Sequence, residues 1–160
     1  MLPQTQWGRV DLFVISLGLA FAVTPIVSRL AKRFGAIDVP RQRSIHELPT
    51  PLWGGLPIYI SFVIAILIGY NYSIQLKGII IGATVILVMG IIDDLRELST
   101  VIRLVGQVVA VCIVIAFGVR IDVIPWFQTD LGDMFLSALW IIGITNAMNF
   151  LDGMDAIPFK

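Results

Sequence analysis

Five long stretches of this sequence carry no charge, and their spacing limits what the chain can fold into. They run Leu12 to Ser28, Leu48 to Leu76, Gly78 to Ile92, Leu104 to Val119 and Met134 to Leu151. The hydrocarbon core of a bilayer, roughly 30 Å thick, takes about 17–25 helical residues to cross. The first, second and last stretches fit that length. The third and fourth are shorter and span only if Lys77, Arg103 and Arg120 extend their charged heads to the interface. A soluble helical core is the alternative, but with 58% hydrophobic and 14% charged residues too little polar surface remains to cover one. The expected fold is an all-α polytopic membrane helix bundle, one domain over residues 1–160 with about five transmembrane helices near 11–30, 52–72, 76–92, 102–119 and 133–151.

The formal net charge is zero, which gives a nucleic-acid partner no electrostatic support. Cys112, the single cysteine, lies in an apolar stretch and reads as a small hydrophobe. The first apolar stretch lacks the flanks of a cleavable signal peptide and is followed by Arg29, Lys32 and Arg33, a stop-transfer pattern. Pro25 removes a backbone hydrogen bond, which either kinks the first span or is tolerated in it. Trp7, Trp53, Trp126 and Trp140 lie mostly near predicted helix ends, as interfacial anchors do.

Loop bases set the orientation. Arg29, Lys32, Arg33, Arg41, Arg43 and His46 follow the first helix and place that loop in the cytoplasm. The turn from Tyr70 to Lys77 is then external, the connection from Asp93 to Arg103 internal, and that from Val119 to Asp133 external. The N-terminus lies outside, and the fifth helix returns Asn149 to Lys160 to the cytoplasm.

Three polar clusters meet on that cytoplasmic side. Asp93-Asp94 is an adjacent pair of carboxylates near the hydrocarbon boundary, where charge is expensive. The pair either holds a divalent cation through phosphate oxygens, acts as a base beside a second carboxylate, or is a solvated cap of the next helix. Asn146, Asn149, Asp152 and Asp155 recur every three residues and share a face if the fifth helix continues. That stripe suits an oxygen-lined cleft for Mg²⁺, or else a polar helix end meeting water. In the basic loop, Arg41, Arg43 and His46 can hold phosphates or serve topology alone. Gly54-Gly55 permits close backbone approach of an anion at a helix start, or helps helices pack.

The order of these clusters is more specific than any one of them. Asp-x-Pro-x-x-Arg-x-x-His from Asp38 and Pro-x-Pro-x-x-Gly-Gly from Pro49 come first. Gly-x-x-Asp-Asp from Gly90 and Asn-Ala-x-Asn-x-x-Asp-Gly-x-Asp from Asn146 follow. Together they resemble the polyprenyl-phosphate N-acetylhexosamine-1-phosphate transferase superfamily, over Asp38 to Asp155. The Pro-x-Pro-x-x-Gly-Gly form is closer to the branch that begins O-antigen, enterobacterial common antigen or teichoic acid linkage units than to the branch handling the peptidoglycan pentapeptide precursor.

The resemblance implies that a polyprenyl phosphate oxygen attacks the sugar-linked phosphorus of a UDP-N-acetylhexosamine and releases UMP. It implies Mg²⁺, with Mn²⁺ as an alternative, and a multi-pass protein of the bacterial inner membrane with its active face in the cytoplasm. Carried over by position, Asp93 or Asp94 deprotonates or orients the lipid phosphate and Arg103 contacts phosphate. Asp152 is the main metal ligand with Asp155 in support, and Asn146 and Asn149 line the nucleotide side. The family pattern continues past Asp155, whereas this sequence reads Ala156 to Lys160 and stops. The expectation is therefore the N-terminal half of such an enzyme, needing a C-terminal half or a second copy to complete it. A competing class is a small non-catalytic membrane protein that binds lipid phosphate or a partner subunit. A transporter is disfavoured, because transport sites sit near the bilayer midplane and these aspartates lie at helix ends.

Overall fold

The computed structural model describes residues 8–38, 49–69, 73–121 and 129–154, without the side chains of Arg9 and of residues 151–154. Five helices dominate it: α1 (Arg9–Phe34), α2 (Gly55–Gly69), α3 (Ile74–Arg96), α4 (Thr100–Ala116) and α5 (Asp130–Met154). Two short strands, β1 (Ile37–Asp38) and β2 (Thr50–Pro51), pair antiparallel, with Ile37 opposite Pro51 and Asp38 opposite Thr50. The fold is the expected all-α membrane bundle with this one strand pair added.

Helices α1, α3 and α5 are long and apolar enough to cross a membrane, while α2 and α4 are shorter apolar helices. The ranking of the second and third spans is thus the reverse of the sequence expectation. The helix expected over 52–72 begins only at Gly55, because Thr50 and Pro51 are taken up by β2. The helix expected over 76–92 gains two residues at its start and four, about one turn, at its end. Ser73 caps its start by accepting the Leu76 N–H at 3.1 Å, so Lys77 lies inside the first turn. At the other end Asp93, Asp94 and Arg96 are helical, and the connection to α4 shrinks to residues 97–99.

Successive helices pack antiparallel. Gly69 of α2 meets Leu12 of α1, and the Phe34 ring lies 5.8 Å from that of Trp53. Gly78 and Gly82 of α3 face Phe117 beyond α4 and Val114 and Ala110 of α4, and Gly106 faces Met89. The Tyr59 hydroxyl bonds Thr84 and the Ile80 carbonyl, linking α2 to α3. The interior is built from small side chains, with Ala31, Ala36, Ala65, Ala110, Ser61 and Ser137 nearly inaccessible. Large apolar residues such as Phe13, Phe21, Phe135 and Trp140 point outward. Soluble bundles show the opposite arrangement. In lipid nothing drives large side chains inward, and close backbone approach over small residues holds helices together. Pro25 lies within a continuous α1, and the half-buried Trp53 packs against Phe34 just before α2 begins.

This antiparallel order brings the C-terminal ends of α1, α3 and α5 to the same end of the bundle as the N-terminal ends of α2 and α4. Every candidate functional residue among the described ones lies at that end.

Candidate functional site

The site begins where α3 stops. Glu97 takes a left-handed conformation, φ 46°, and its N–H donates to the Asp93 carbonyl at 2.8 Å. A non-glycine residue in that region costs about 1–2 kcal/mol. The next N–H, from Leu98, donates to Asp93 Oδ1 at 2.7 Å, so the carboxylate braces the turn that its own carbonyl helps to close. Ser99 then caps α4 by accepting the Ile102 N–H at 3.4 Å. The aspartate pair therefore does not cap the following helix; Ser99 does. Asp93 instead secures the end of its own helix.

One turn into α4, Arg103 reaches back, with Nη1 3.4 Å from Asp93 Oδ2. Its Nε is buried with no hydrogen-bond partner. Both oxygens of Asp93 are thus engaged within the protein. Asp94, the next residue, is exposed.

Asp93, Asp94 and Arg103 line a cavity of about 230 Å³ together with Met89, Gln107, Thr145 and Asn149. Two carboxylates face one guanidinium there, so these side chains leave an excess of negative charge and favour a cation. The oxygen donors Asp94 and Asn149 suit a hard divalent ion. Mg²⁺ typically takes one or two protein carboxylates and fills its remaining positions with water and substrate phosphate oxygens. Asp152 follows Asn149 by three residues along α5, which continues to Met154, so the backbone carries it to the same end; its side chain is outside the described residues. Among the described residues no three His, Cys, Asp or Glu side chains form a cluster. The described donors fit an ion that shares its coordination with substrate phosphates.

Asn146 is placed differently from the sequence expectation. It does not line this cavity. Its Nδ2 donates to Gln107 Oε1 at 2.7 Å and to the Ile142 carbonyl at 2.8 Å, and Gln107 Nε2 returns a bond to Asn146 Oδ1 at 3.4 Å. Side chains at i and i+3 neighbour each other on a helix, but a modest rotation separates a residue facing α4 from one facing the cavity. Gln107 was not singled out from the sequence. Its signal was a lone amide within the fourth charge-free stretch, where an unpaired polar group is costly.

Gly54 and Gly55 stand at the start of α2, and a Cβ at either would meet nothing within 4 Å. Helix packing therefore does not account for them among the described residues, whereas room for a ligand would. A separate cavity of about 180 Å³ lies between α1 and α2, lined by Ser28, Ala31, Trp53, Gly54 and others. Arg41, Arg43, His46 and Asp155 lie outside the described residues. The strand pair nevertheless brings the two ends of the basic segment together, because Asp38 and Thr50 are cross-strand partners.

Comparison with known proteins finds a family model and curated relatives that the chain matches. The model of the family described as Glycosyl transferase family 4 matches residues 76–158, which include both the aspartate pair and the α5 stripe. A probable undecaprenyl-phosphate N-acetylglucosaminyl 1-phosphate transferase of Bacillus subtilis is 35% identical, over 98% of this chain and 46% of its own length. A decaprenyl-phosphate N-acetylglucosaminephosphotransferase of Mycolicibacterium smegmatis is 30% identical, over 87% of this chain and 38% of its own. A phospho-N-acetylmuramoyl-pentapeptide-transferase of Orientia tsutsugamushi is 25% identical, over 90% and 47%. The chain spans less than half the length of these curated relatives. No solved structure matches it.

Proposed function

The chain belongs to glycosyl transferase family 4, and from that premise we propose that it carries the acceptor-phosphate and metal side of an N-acetylhexosamine-1-phosphate transferase of the bacterial inner membrane. The donor is a UDP-N-acetylhexosamine, the acceptor a polyprenyl phosphate, and the products are UMP and a lipid diphosphate sugar. The names of the Bacillus and Mycolicibacterium relatives support N-acetylglucosamine as the sugar. One observation carries the reading: Asp93, Asp94 and Arg103, from the α3–α4 turn, face Asn149 of α5 across a single cavity.

The residues divide the work as follows. Arg103, held on one side by Asp93, offers its remaining terminal N–H groups to a phosphate oxygen. Asp94 is exposed beside it and orients the lipid phosphate or takes its proton, leaving a phosphate oxygen free to attack the sugar-linked phosphorus. The bond from that phosphorus to the UMP oxygen breaks, and UMP departs with the electron pair. Asp152 and Asp155, with Asn149 nearby, would hold Mg²⁺, which would supply positive charge against the donor diphosphate and the leaving UMP. Arg41, Arg43 and His46 supply further positive charge toward phosphates. All these groups act from the cytoplasmic face.

The test is UMP release from UDP-N-acetylglucosamine by membranes containing this chain, with undecaprenyl phosphate and Mg²⁺ added. Membranes carrying Asp152→Ala serve as the control. Release that requires lipid, metal and Asp152 is the expected result. Release that persists unchanged in Asp152→Ala overturns the assigned metal site.

A further inference from the structure

Gln107 is 8% exposed, buried where α4 meets α5. Nothing in the proposed chemistry uses it. Its amide and that of Asn146 bond reciprocally, at 2.7 and 3.4 Å, and the remaining Asn146 N–H returns to the Ile142 carbonyl. Both Asn146 N–H groups are thereby used, and the reciprocal bond ties the two side chains to each other in a fixed geometry.

Its position gives it a second consequence. Arg103 lies one turn before Gln107 on α4, and Asn149 lies one turn after Asn146 on α5. The helices run antiparallel, so the amide pair sits one level beneath the Arg103–Asn149 level of the cavity. Below it lies an apolar cavity of about 270 Å³, lined by Gly82, Ala110, Val114, Ile141 and others. Gln107, Ile86 and Thr145 line both cavities. Beyond that apolar cavity the Ile121 N–H donates to the buried Ser137 Oγ at 2.8 Å and holds the far part of α5, so the amide pair is the hydrogen bond that fixes the helix's rotation at the level next to the site. A hydrogen-bonded pair fixes rotation because it is directional: turning α5 by one residue moves Asn146 about 100° off its partner.

From this geometry we infer that Gln107 is a positioning residue: its amide bond to Asn146 sets the rotation of α5 and so holds Asn149, with the Asp152 turn beyond it, opposite Asp94 and Arg103. The inference rests on the transferase reading of the cavity above it.

The experiment compares four forms of the detergent-solubilised chain: the unaltered protein, Gln107→Met, Asn146→Leu, and the exchanged pair Gln107→Asn with Asn146→Gln. Met keeps the size of Gln107 and removes its hydrogen bonds, while the exchange keeps two amides in contact. The readouts are UMP affinity with Mn²⁺ present, helical content by circular dichroism, and KM and kcat for UMP release. The expected result is a loss of UMP affinity of tenfold or more in Gln107→Met and Asn146→Leu, with helical content retained, and recovery to within about threefold in the exchanged pair. UMP affinity in Gln107→Met equal to that of the unaltered protein overturns the inference. So does an exchanged pair as impaired as the single variants, since a merely space-filling role predicts no recovery. Failure of the unaltered protein to bind UMP at all is a distinct outcome, which overturns the transferase reading for this chain and takes the inference with it.

Discussion

Asp93 and Asp94 adjoin in sequence, yet the α3–α4 turn gives them unlike surroundings. Asp93 accepts the Leu98 N–H with one oxygen and meets Arg103 with the other, whereas Asp94 is exposed at the cavity. Conservative amide substitutions should separate them. In Asp93→Asn the side-chain oxygen still takes the Leu98 N–H and only the ion pair is lost. Such a half-exposed pair is worth about 0–1 kcal/mol, so thermal stability in detergent should barely change. UMP release should fall by roughly tenfold as Arg103 loses its support. Asp94→Asn should cost no more than an exposed pair contributes, about 0–1 kcal/mol, and lower release by about 10²–10⁴, the usual contribution of a positioned base. Equal losses in the two variants would refute this division. The aspartate pair, Arg103 and Asn149 were legible in the sequence because polar groups beside apolar helices need a reason. The division between the two carboxylates was not, since it depends on where one backbone N–H, that of Leu98, points. Nor was the withdrawal of Asn146 from the cavity, which a partner 39 residues away imposes.

Between helices, glycine takes the place that large side chains hold in a soluble core. A Cβ on Gly78 would lie 2.3 Å from Cβ of Phe117, and one on Gly82 2.5 Å from Val114 Cγ2 and 3.1 Å from the Ala110 carbonyl oxygen. Neither obstruction is the far end of a flexible chain, so the helices themselves must part. Gly78→Ala and Gly82→Ala should each destabilise by about 1–3 kcal/mol, the usual range for overpacking. Gly143→Ala, whose Cβ meets nothing within 4 Å, should instead be neutral or stabilising by up to about 1 kcal/mol through helix propensity. Thermal unfolding in detergent micelles orders the three, and a Gly82→Ala protein as stable as Gly143→Ala would count against this packing. The five helices themselves were readable from charge-free stretches, because bilayer thickness fixes their length. Their ends were not. Asp93, Asp94 and Arg96 read as a loop, but a helix end at an interface can carry charge, and α3 continues through all three. The strand pair was hidden for another reason. Two residues per strand give no periodicity to detect, and only the pairing of Ile37 with Pro51 reveals them.

For the whole molecule, the decisive question is which side of the membrane the cavity faces, because a UDP-sugar is made in the cytoplasm and does not cross lipid. Charge around the bundle gives an answer. At the cavity end lie Arg29, Lys32 and Arg33 of α1, Arg96 of α3 and Arg103 of α4. At the other end lie three bases, Arg9, Lys77 and Arg120, and Arg120 is tied to Asp130 at 2.8 Å. Basic residues stay on the cytoplasmic side, so the cavity end should be internal. Single cysteines test this in a background where Cys112, itself exposed, is changed to Ala. Glu97→Cys lies in the α3–α4 turn beside the cavity, and Thr129→Cys lies just before α5 at the opposite end. A membrane-impermeant maleimide applied to intact cells should label Thr129→Cys and leave Glu97→Cys unlabelled until the membrane is opened. The reverse pattern would put the carboxylates on the outer face, where no nucleotide sugar is supplied, and the proposed reaction could not proceed there even with every residue of the cavity in place. Labelling at both positions in intact cells would mean that the chain inserts in two orientations, and only the inward-facing half of the population could then contribute to UMP release.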